Sequence, residues 1–355
     1  MDELIRDWDG EYVVSRFDRQ TGTMMFIAVH STALGGAAGG TRLKSYANPR
    51  EALRDAMRLA QGMTYKLAVI DFPRGGGKAV LSVPEGFKEA DREGLMLRYG
   101  QWLADLNGIL VTGPDLGTTP ADMAIIARRY SGVFGRPPEA GGAGDSGPET
   151  ALGVFSGIKA SCEHYFNSAD VAGRTVLVQG AGSVGEPLIR LLLEAGCVVK
   201  FSDVDPECVA RLRKELDLTF VEPEAVYWEP CDVFSPCATG GILNAETIPQ
   251  LRCEIVAGGA NNQLARPEDG EALYQRGVLY APDYVINGGG AIFLLAVEDK
   301  GWTLAQTRDR IRKIGDTLKE IYAHSEKQGI SPARAAQRIA EERVKQGLSS
   351  KQHQQ

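Results

Sequence analysis

Residues 175–185 read Thr175-Val176-Leu177-Val178-Gln179-Gly180-Ala181-Gly182-Ser183-Val184-Gly185. A short, largely apolar run leads straight into Gly-x-Gly-x-x-Gly, and a helix-like stretch, Glu186 to Ala195, follows. The glycine pattern alone is a loose match. Strand before and helix after supply the context that a dinucleotide-binding turn requires. Gly180 permits the tight turn, Gly182 lets a pyrophosphate approach the backbone, and Gly185 lets helix and strand pack closely. The helix N-terminus, with Ala181, Ser183 and Val184 around it, then stabilises the phosphate charge. The next strand, Val198 to Ser202, ends at Asp203, 23 positions after Gly180. That is close to the ~20 expected for an acid that binds the ribose 2′-hydroxyl. Such an acid repels a 2′-phosphate, so the expected cofactor is NAD.

Working outward, further strands are expected at Asp232 to Ser235, Glu254 to Ala257 and Val278 to Ala281. Strands separated by helical segments imply parallel pairing with right-handed crossovers. The tail from Thr303 onward reads as amphipathic helix, with Ile311, Ile314, Leu318, Ile321 and Tyr322 on one stripe. Upstream, Glu11 to Ser31 carries two β-rich runs around the turn signal Gln20-Thr21-Gly22, hence a hairpin. Asn48-Pro49 caps a helix whose apolar residues run to Met63, and the apolar run Leu67 to Ile70 follows that helix. A second helix is expected at about 89–106, a buried strand at Ile109 to Thr112, and a third helix from Thr119-Pro120 to Arg129. The sequence RPPEAGGAGDSGPET (136–150) is small, glycine-rich and proline-bearing, the strongest linker candidate.

The fold expected is α/β with two domains. Residues 1–135, joined by a carboxy-terminal helix at about 330–355, form an α/β substrate and oligomerisation domain. Residues 136–329 form a doubly wound, Rossmann-type nucleotide domain. A chain of 355 residues suits two cores better than one. Glycine is the compositional excess: 42 residues, above the usual ~7%. There is no every-third period, so these glycines must have local roles.

Charge and cysteine usage bound the setting. The net charge is −7 and no basic stripe is present, which argues against nucleic acid as a partner. No stretch reaches the ~20 apolar residues of a membrane span, and the acidic start is unlike a secretory signal. The six cysteines form no CxxC pair and read as reduced core thiols. The four histidines are scattered, so no metal site is expected. A cytoplasmic protein is the expectation.

A second constellation lies upstream. Lys66 closes Gly62-Met63-Thr64-Tyr65-Lys66, Lys78 closes Gly75-Gly76-Gly77-Lys78, and Asp115 ends Thr112-Gly113-Pro114-Asp115. Singly, these are surface lysines and a turn aspartate. Together they flank one short, nearly side-chain-free segment. A lysine near a second cation and away from water has a lowered pKa and can act as a base near neutrality. The other lysine can hold a carboxylate, and the aspartate can shuttle a proton.

The stretches HSTALGG (30–36), GGTR (39–42), GMTYK (62–66), GGGK (75–78), TGPD (112–115), PCA (236–238), AGGANNQL (257–264) and YAPDYVIN (280–287) resemble the NAD-dependent amino acid dehydrogenases. The likeness is to the leucine/phenylalanine/valine branch related to glutamate dehydrogenase, and it runs from about residue 11 to about 345. It implies oxidative deamination: an L-amino acid, NAD and water give the 2-oxo acid, ammonium and NADH. It implies that Lys66 binds the α-carboxylate with the Gly39-Gly40 backbone, that Lys78 is the general base, and that Asp115 exchanges protons with the amine and the carbinolamine. Met63 and Asn262 fall on the substrate side. Thr150, Ala238 and Asn261 fall on the cofactor side with Gly180 to Gly185 and Asp203. The family also implies a homo-oligomer and a cleft between the domains that closes over the substrate. One departure is Arg74, a cation where relatives carry apolar residues.

The resemblance places a side-chain pocket at Gly113, Phe134, Ala291 and Leu294. Branched-chain enzymes tend to carry alanine, threonine, valine and valine there. Smaller residues at 113 and 291 make room for a ring, while Phe134 and Leu294 return some volume. Phenylalanine is expected first, with leucine or tryptophan as the alternative, because a pocket methylene decides only ~1–3 kcal/mol. Two readings of other kinds compete: a non-catalytic NAD-binding protein, which the lysines and Asp115 oppose, and a metal-dependent decarboxylase, which the lack of a carboxylate cluster opposes.

Overall fold

The structure is a computed structural model that describes residues 2–352. Its chain divides into two compact units. The first comprises Met1–Gly144, Leu294–Trp302 and Ala340–Gln355; the second comprises Asp145–Phe293 and Thr303–Ile339.

In the first unit, helix α1 (Asp2–Arg6) precedes the hairpin β1 (Tyr12–Asp18) and β2 (Thr23–Ser31), then β3 (Ala37–Lys44) and α2 (Pro49–Val69). Next come β4 (Gly75–Ser82), α3 (Arg92–Asp105), β5 (Val111–Pro114) and α4 (Pro120–Ala127). The five strands form one mixed sheet in the order β1-β2-β4-β3-β5. β2 is antiparallel to β1 and β4, whereas β3 is parallel to β4 and β5. The two-residue period of the strands sends alternate side chains to opposite faces. Met25, Ile27, Val29, Ala79 and Leu81 pack with Leu95, Tyr99 and Leu103 of α3 and Ile126 of α4. Phe26, Ala28 and Val80 pack with Ala52, Leu53, Ala56 and Met57 of α2 on the other face.

Two local expectations are corrected. The apolar run at 67–70 is no separate segment: α2 continues to Val69, and Leu67, Ala68 and Val69 are buried on it. The glycine triplet, which ends the nearly side-chain-free segment and is assigned to no element by its sequence, opens β4 at the centre of the sheet. A Cβ on Gly76 would lie 2.1 Å from the Thr64 nitrogen of α2, so only glycine admits that close approach.

In the second unit, α5 (Gly147–Phe166) leads to β6 (Thr175–Gln179), α6 (Gly185–Glu194), β7 (Val198–Ser202), α7 (Pro206–Leu216), β8 (Thr219–Phe220), β9 (Val233–Pro236) and β10 (Ile255–Val256). Then follow α8 (Glu268–Gln275), β11 (Leu279–Tyr280), α9 (Asp283–Ile286), α10 (Gly289–Leu294), α11 (Leu304–Arg312), α12 (Ile314–Gln328) and the start of α13 (Pro332–Gln352). The segment from Leu294 through a π-helical turn at Leu295–Asp299, and α13 from Ala340 onward, belong to the first unit. The six strands are all parallel, in the order β11-β10-β9-β6-β7-β8. Counted within the unit this is the doubly wound 3-2-1-4-5-6 order, whose switch point lies beside its first strand, β6. Leu177, Phe234, Val256 and Tyr280 form a buried ladder across four strands. The end of the glycine-rich linker candidate, Gly147 to Thr150, is the first turn of α5, and the stripe Ile311, Ile314, Leu318, Ile321 and Tyr322 is buried. Among the described residues no helix is long and apolar enough to cross a membrane, and the six cysteines are free thiols.

Candidate active site

The face of the first sheet that meets α2 carries charge at its carboxyl end. Lys78 lies two residues before Val80 on β4, and Arg42 on β3 is paired with Val80, so both side chains share that face. Lys78 Nζ donates to Asp115 Oδ2 at 2.5 Å, and Arg42 Nε donates to Asp115 Oδ1 at 2.8 Å. The Lys78 side chain is only 5% exposed. Gly40 closes the group: a Cβ there would lie 2.9 Å from Asp115 Cβ and 3.3 Å from Lys78 Nζ. Gly39 is pressed against the Gly77 carbonyl with Met63 Cγ beside it. Lys66 stands in the last turn of α2, three residues after Met63.

The electrostatics oppose one another. Burial pulls Lys78 below the ordinary lysine range, Asp115 pulls it partly back, and Arg42 pushes it down again. Burial pushes the Asp115 carboxyl up, but Lys78 and then Arg42 outweigh it and leave the group below the usual aspartate value. Arg42 is thus a second cation beside Lys78. Sequence reasoning passed over that residue, although it closes the quoted GGTR. Arg74 pairs with Asp299 through two nitrogens and lies outside this group. Gly113, opposite Gly40 in the β3–β5 pairing, lies under the Phe134 ring; a Cβ on it would sit 2.1 Å from Phe134 Cε2.

In the second unit the glycine fingerprint lies where β6 ends and α6 begins. Gly180 has φ +91°, and a Cβ on it would strike Ala238. Gly185 rests so near the Gly180 carbonyl that a Cβ would come within 1.8 Å of it. Around Gly182, by contrast, nothing lies within 4 Å of the Cβ position. A groove of about 570 Å³ runs past Ala181, Gly182, Ser183 and Asp203, with Arg190 and Arg211 also on its wall. Asp203 Oδ2 accepts from the Ala181 amide at 2.7 Å, and its Oδ1 accepts from the Asp205 amide at 2.9 Å. An open helix N-terminus beside the fixed carboxylate of Asp203 fits a dinucleotide with an unphosphorylated adenosine ribose.

Thr150 is buried on the first turn of α5, its hydroxyl donating to the Ser146 carbonyl, and it lies beside Gly290. Asn261 Oδ1 accepts from Asn287 Nδ2 at 2.7 Å, which fixes the orientation of its amide. Asn287 was overlooked as a site residue although it closes the quoted YAPDYVIN. Asn262 adopts φ +52° and is exposed. α10 carries Ala291 and Leu294, three residues apart.

Residues 13–132 match the family model for the Glu/Leu/Phe/Val dehydrogenase dimerisation domain, and residues 203–351 match that for glutamate/leucine/phenylalanine/valine dehydrogenase. The chain belongs to the Glu/Leu/Phe/Val dehydrogenase family. It is an amino acid dehydrogenase, and its cofactor is NAD. It is 42% identical over 343 residues to leucine dehydrogenase of Geobacillus stearothermophilus, covering 96% of this chain and 92% of that one. It is 45% identical over 338 residues to valine dehydrogenase of Streptomyces virginiae, covering 94% and 93%. The crystal structure of L-tryptophan dehydrogenase from Nostoc punctiforme superposes with a TM-score of 0.89 at 38% identity, over 98% of this dehydrogenase and all of that chain.

Proposed function

We propose that this dehydrogenase carries out the reversible oxidative deamination of an L-amino acid with a bulky apolar side chain to the 2-oxo acid and ammonium. The observation that carries the chemistry is Lys78, a buried lysine hydrogen-bonded to Asp115 and lowered in pKa by its burial. Bound NAD supplies a hydride acceptor for Cα. Lys66 and the Gly39-Gly40 backbone hold the α-carboxylate, with Met63 beside them. Neutral Lys78 takes the proton of the water that adds to the imine carbon. Asp115 exchanges protons with the substrate amine before oxidation and with the carbinolamine before ammonium leaves. Thr150, Ala238, Asn261 and Asp203 bind the cofactor with the turn from Gly180 to Gly185, and Asn262 serves the substrate side.

Gly113, Phe134, Ala291 and Leu294 are the specificity positions, and phenylalanine ranks first because residues 113 and 291 are small. One contact favours the runner-up: the Phe134 ring already occupies the space that Gly113 leaves open, which suits leucine, as does the likeness to a leucine dehydrogenase. Tryptophan is the further alternative. The enzyme works in the cytoplasm as a homo-oligomer built through its first unit, the part that matches a dimerisation domain.

An NADH absorbance assay over Phe, Trp, Leu and Val tests the substrate. The highest kcat/KM is expected for Phe, by up to about tenfold; a clear preference for Leu or Val overturns the aromatic ranking. In the same assay Lys78→Ala abolishes NADH formation while NAD binding survives, and retained turnover refutes the base assignment.

A further inference from the structure

Asp115 has two carboxylate oxygens and gives one to each of two cations. That division matters to a base. A buried lysine facing a carboxylate of its own keeps its proton, because each charge stabilises the other. Arginine cannot give its proton up at any ordinary pH. When it shares the carboxylate it therefore draws off negative charge that would otherwise hold the ammonium.

We propose that Arg42 is a positioning residue of the reaction, dividing Asp115 with Lys78 so that Lys78 can release its proton while Asp115 stays charged and aimed at it. This rests on the reading of Lys78 as the base. The planar guanidinium is suited to the task because it reaches two acids at once. Its Nε meets Asp115, and its NH1 donates to Asp55 Oδ2 of α2 at 2.9 Å. Asp55 is in turn held by the Tyr46 hydroxyl at 2.6 Å and by Arg58 at 2.9 Å. A lysine at position 42 would offer one point charge and could not bridge both acids in that geometry.

The charged groups that act on Lys78 are Asp115 after β5, Arg42 on β3 and Asp55 on α2, with Tyr46 and Arg58 bound to Asp55 in turn; the β2 residue paired with Lys78 is Ala28, which carries no charge. Arg42 and Asp55 act on Lys78 with opposite signs. The arginine lowers its pKa and the aspartate raises it. Removing either charge should therefore move the titration of the base in opposite directions, which a purely structural contact would not do.

The experiment is kcat/KM against pH for amino acid oxidation by the full-length enzyme, where the rising limb reports the base losing its proton. Arg42→Gln is expected to move that limb to higher pH by about one unit, lowering kcat/KM at a pH on the limb about tenfold, with recovery at alkaline pH. Asp55→Asn is expected to move the limb to lower pH, and Arg42→Lys to give a displacement smaller than that of Arg42→Gln. A lowered plateau with an unmoved limb in Arg42→Gln makes the contact merely structural and overturns the proposal. If Arg42→Gln fails to bind NAD or to melt cooperatively, the other two variants decide, and limbs unmoved in both overturn it. Lys78→Ala separates the two layers. Loss of turnover keeps the base reading, so an unmoved limb in Arg42→Gln then counts against Arg42 alone. Retained turnover overturns the base reading itself.

Discussion

A single methyl group on Gly113 would lie 2.1 Å from the Phe134 ring, far inside van der Waals contact. Gly113 therefore works with Phe134 as a matched pair, the ring filling the space that the glycine leaves. Gly113→Ala should destabilise the protein by about 1–3 kcal/mol through overpacking. Phe134→Leu, combined with it, should return much of that loss. Urea unfolding of the two single variants and the double variant checks this. Simple additivity would show that the ring can move aside at no cost, since residues in contact normally couple. Arg42 makes a related point. It was visible in the sequence, yet nothing local revealed that β3, β4 and β5 would bring it to the same carboxylate as Lys78.

Among the elements, α4 is the one most fully specified by its first turn. Thr119 Oγ1 accepts from the Asp122 amide, and Asp122 Oδ2 accepts from the Thr119 amide at 2.7 Å, with proline at the first helical position. Asp122 also receives two nitrogens of Arg92 from α3. Thr119→Ala should lower unfolding free energy by about 1 kcal/mol, the usual worth of a cap. Asp122→Ala should cost about 3 kcal/mol or more, because it also strands the buried Arg92 pair. Chemical denaturation distinguishes them, and equal losses would mean that the arginine contributes nothing.

Caps of this kind explain why so many elements were legible in advance. Asn48-Pro49, Thr119-Pro120 and the strand–glycine–helix passage at 175–194 carry their signals within a few residues. β3 and the start of β4 do not. Runs such as Gly39-Gly40 and Gly75-Gly76-Gly77 have almost no side chains to show a two-residue period, and they are strands because neighbouring backbones close on them. The same gap hid the extent of α2, where an apolar run buried against the sheet looks like a strand when read alone.

Across the whole molecule, carboxylates bound to arginine recur in the first unit. Asp18 is held below the usual aspartate value, first through its hydrogen bonds with Arg98. For Asp122 burial acts upward, but Arg92 and the cap outweigh it. A carboxyl whose pKa is lower folded than unfolded adds stability above the unfolded value and loses it as the pH falls. Asp18, Asp55, Asp115 and Asp122 share that sign. Stability to urea should therefore hold near neutrality and decline below about pH 4, more steeply than in Asp18→Asn. Midpoints that do not change between pH 7 and pH 3 would contradict this.

Asp203 carries a consequence for anyone who would redesign the enzyme. Its two oxygens tie the Ala181 amide of the glycine turn to the Asp205 amide ahead of α7. The carboxylate is thus a clasp in the loop as well as a feature of the groove. Replacing it to admit a phosphorylated sugar also unfastens two backbone groups, so on the proposed role of Asp203 a change of cofactor preference would disturb the order of the loop as well. A successful exchange of cofactor needs a substitute that can still accept those two amides, and a cation added elsewhere on the wall to receive the phosphate.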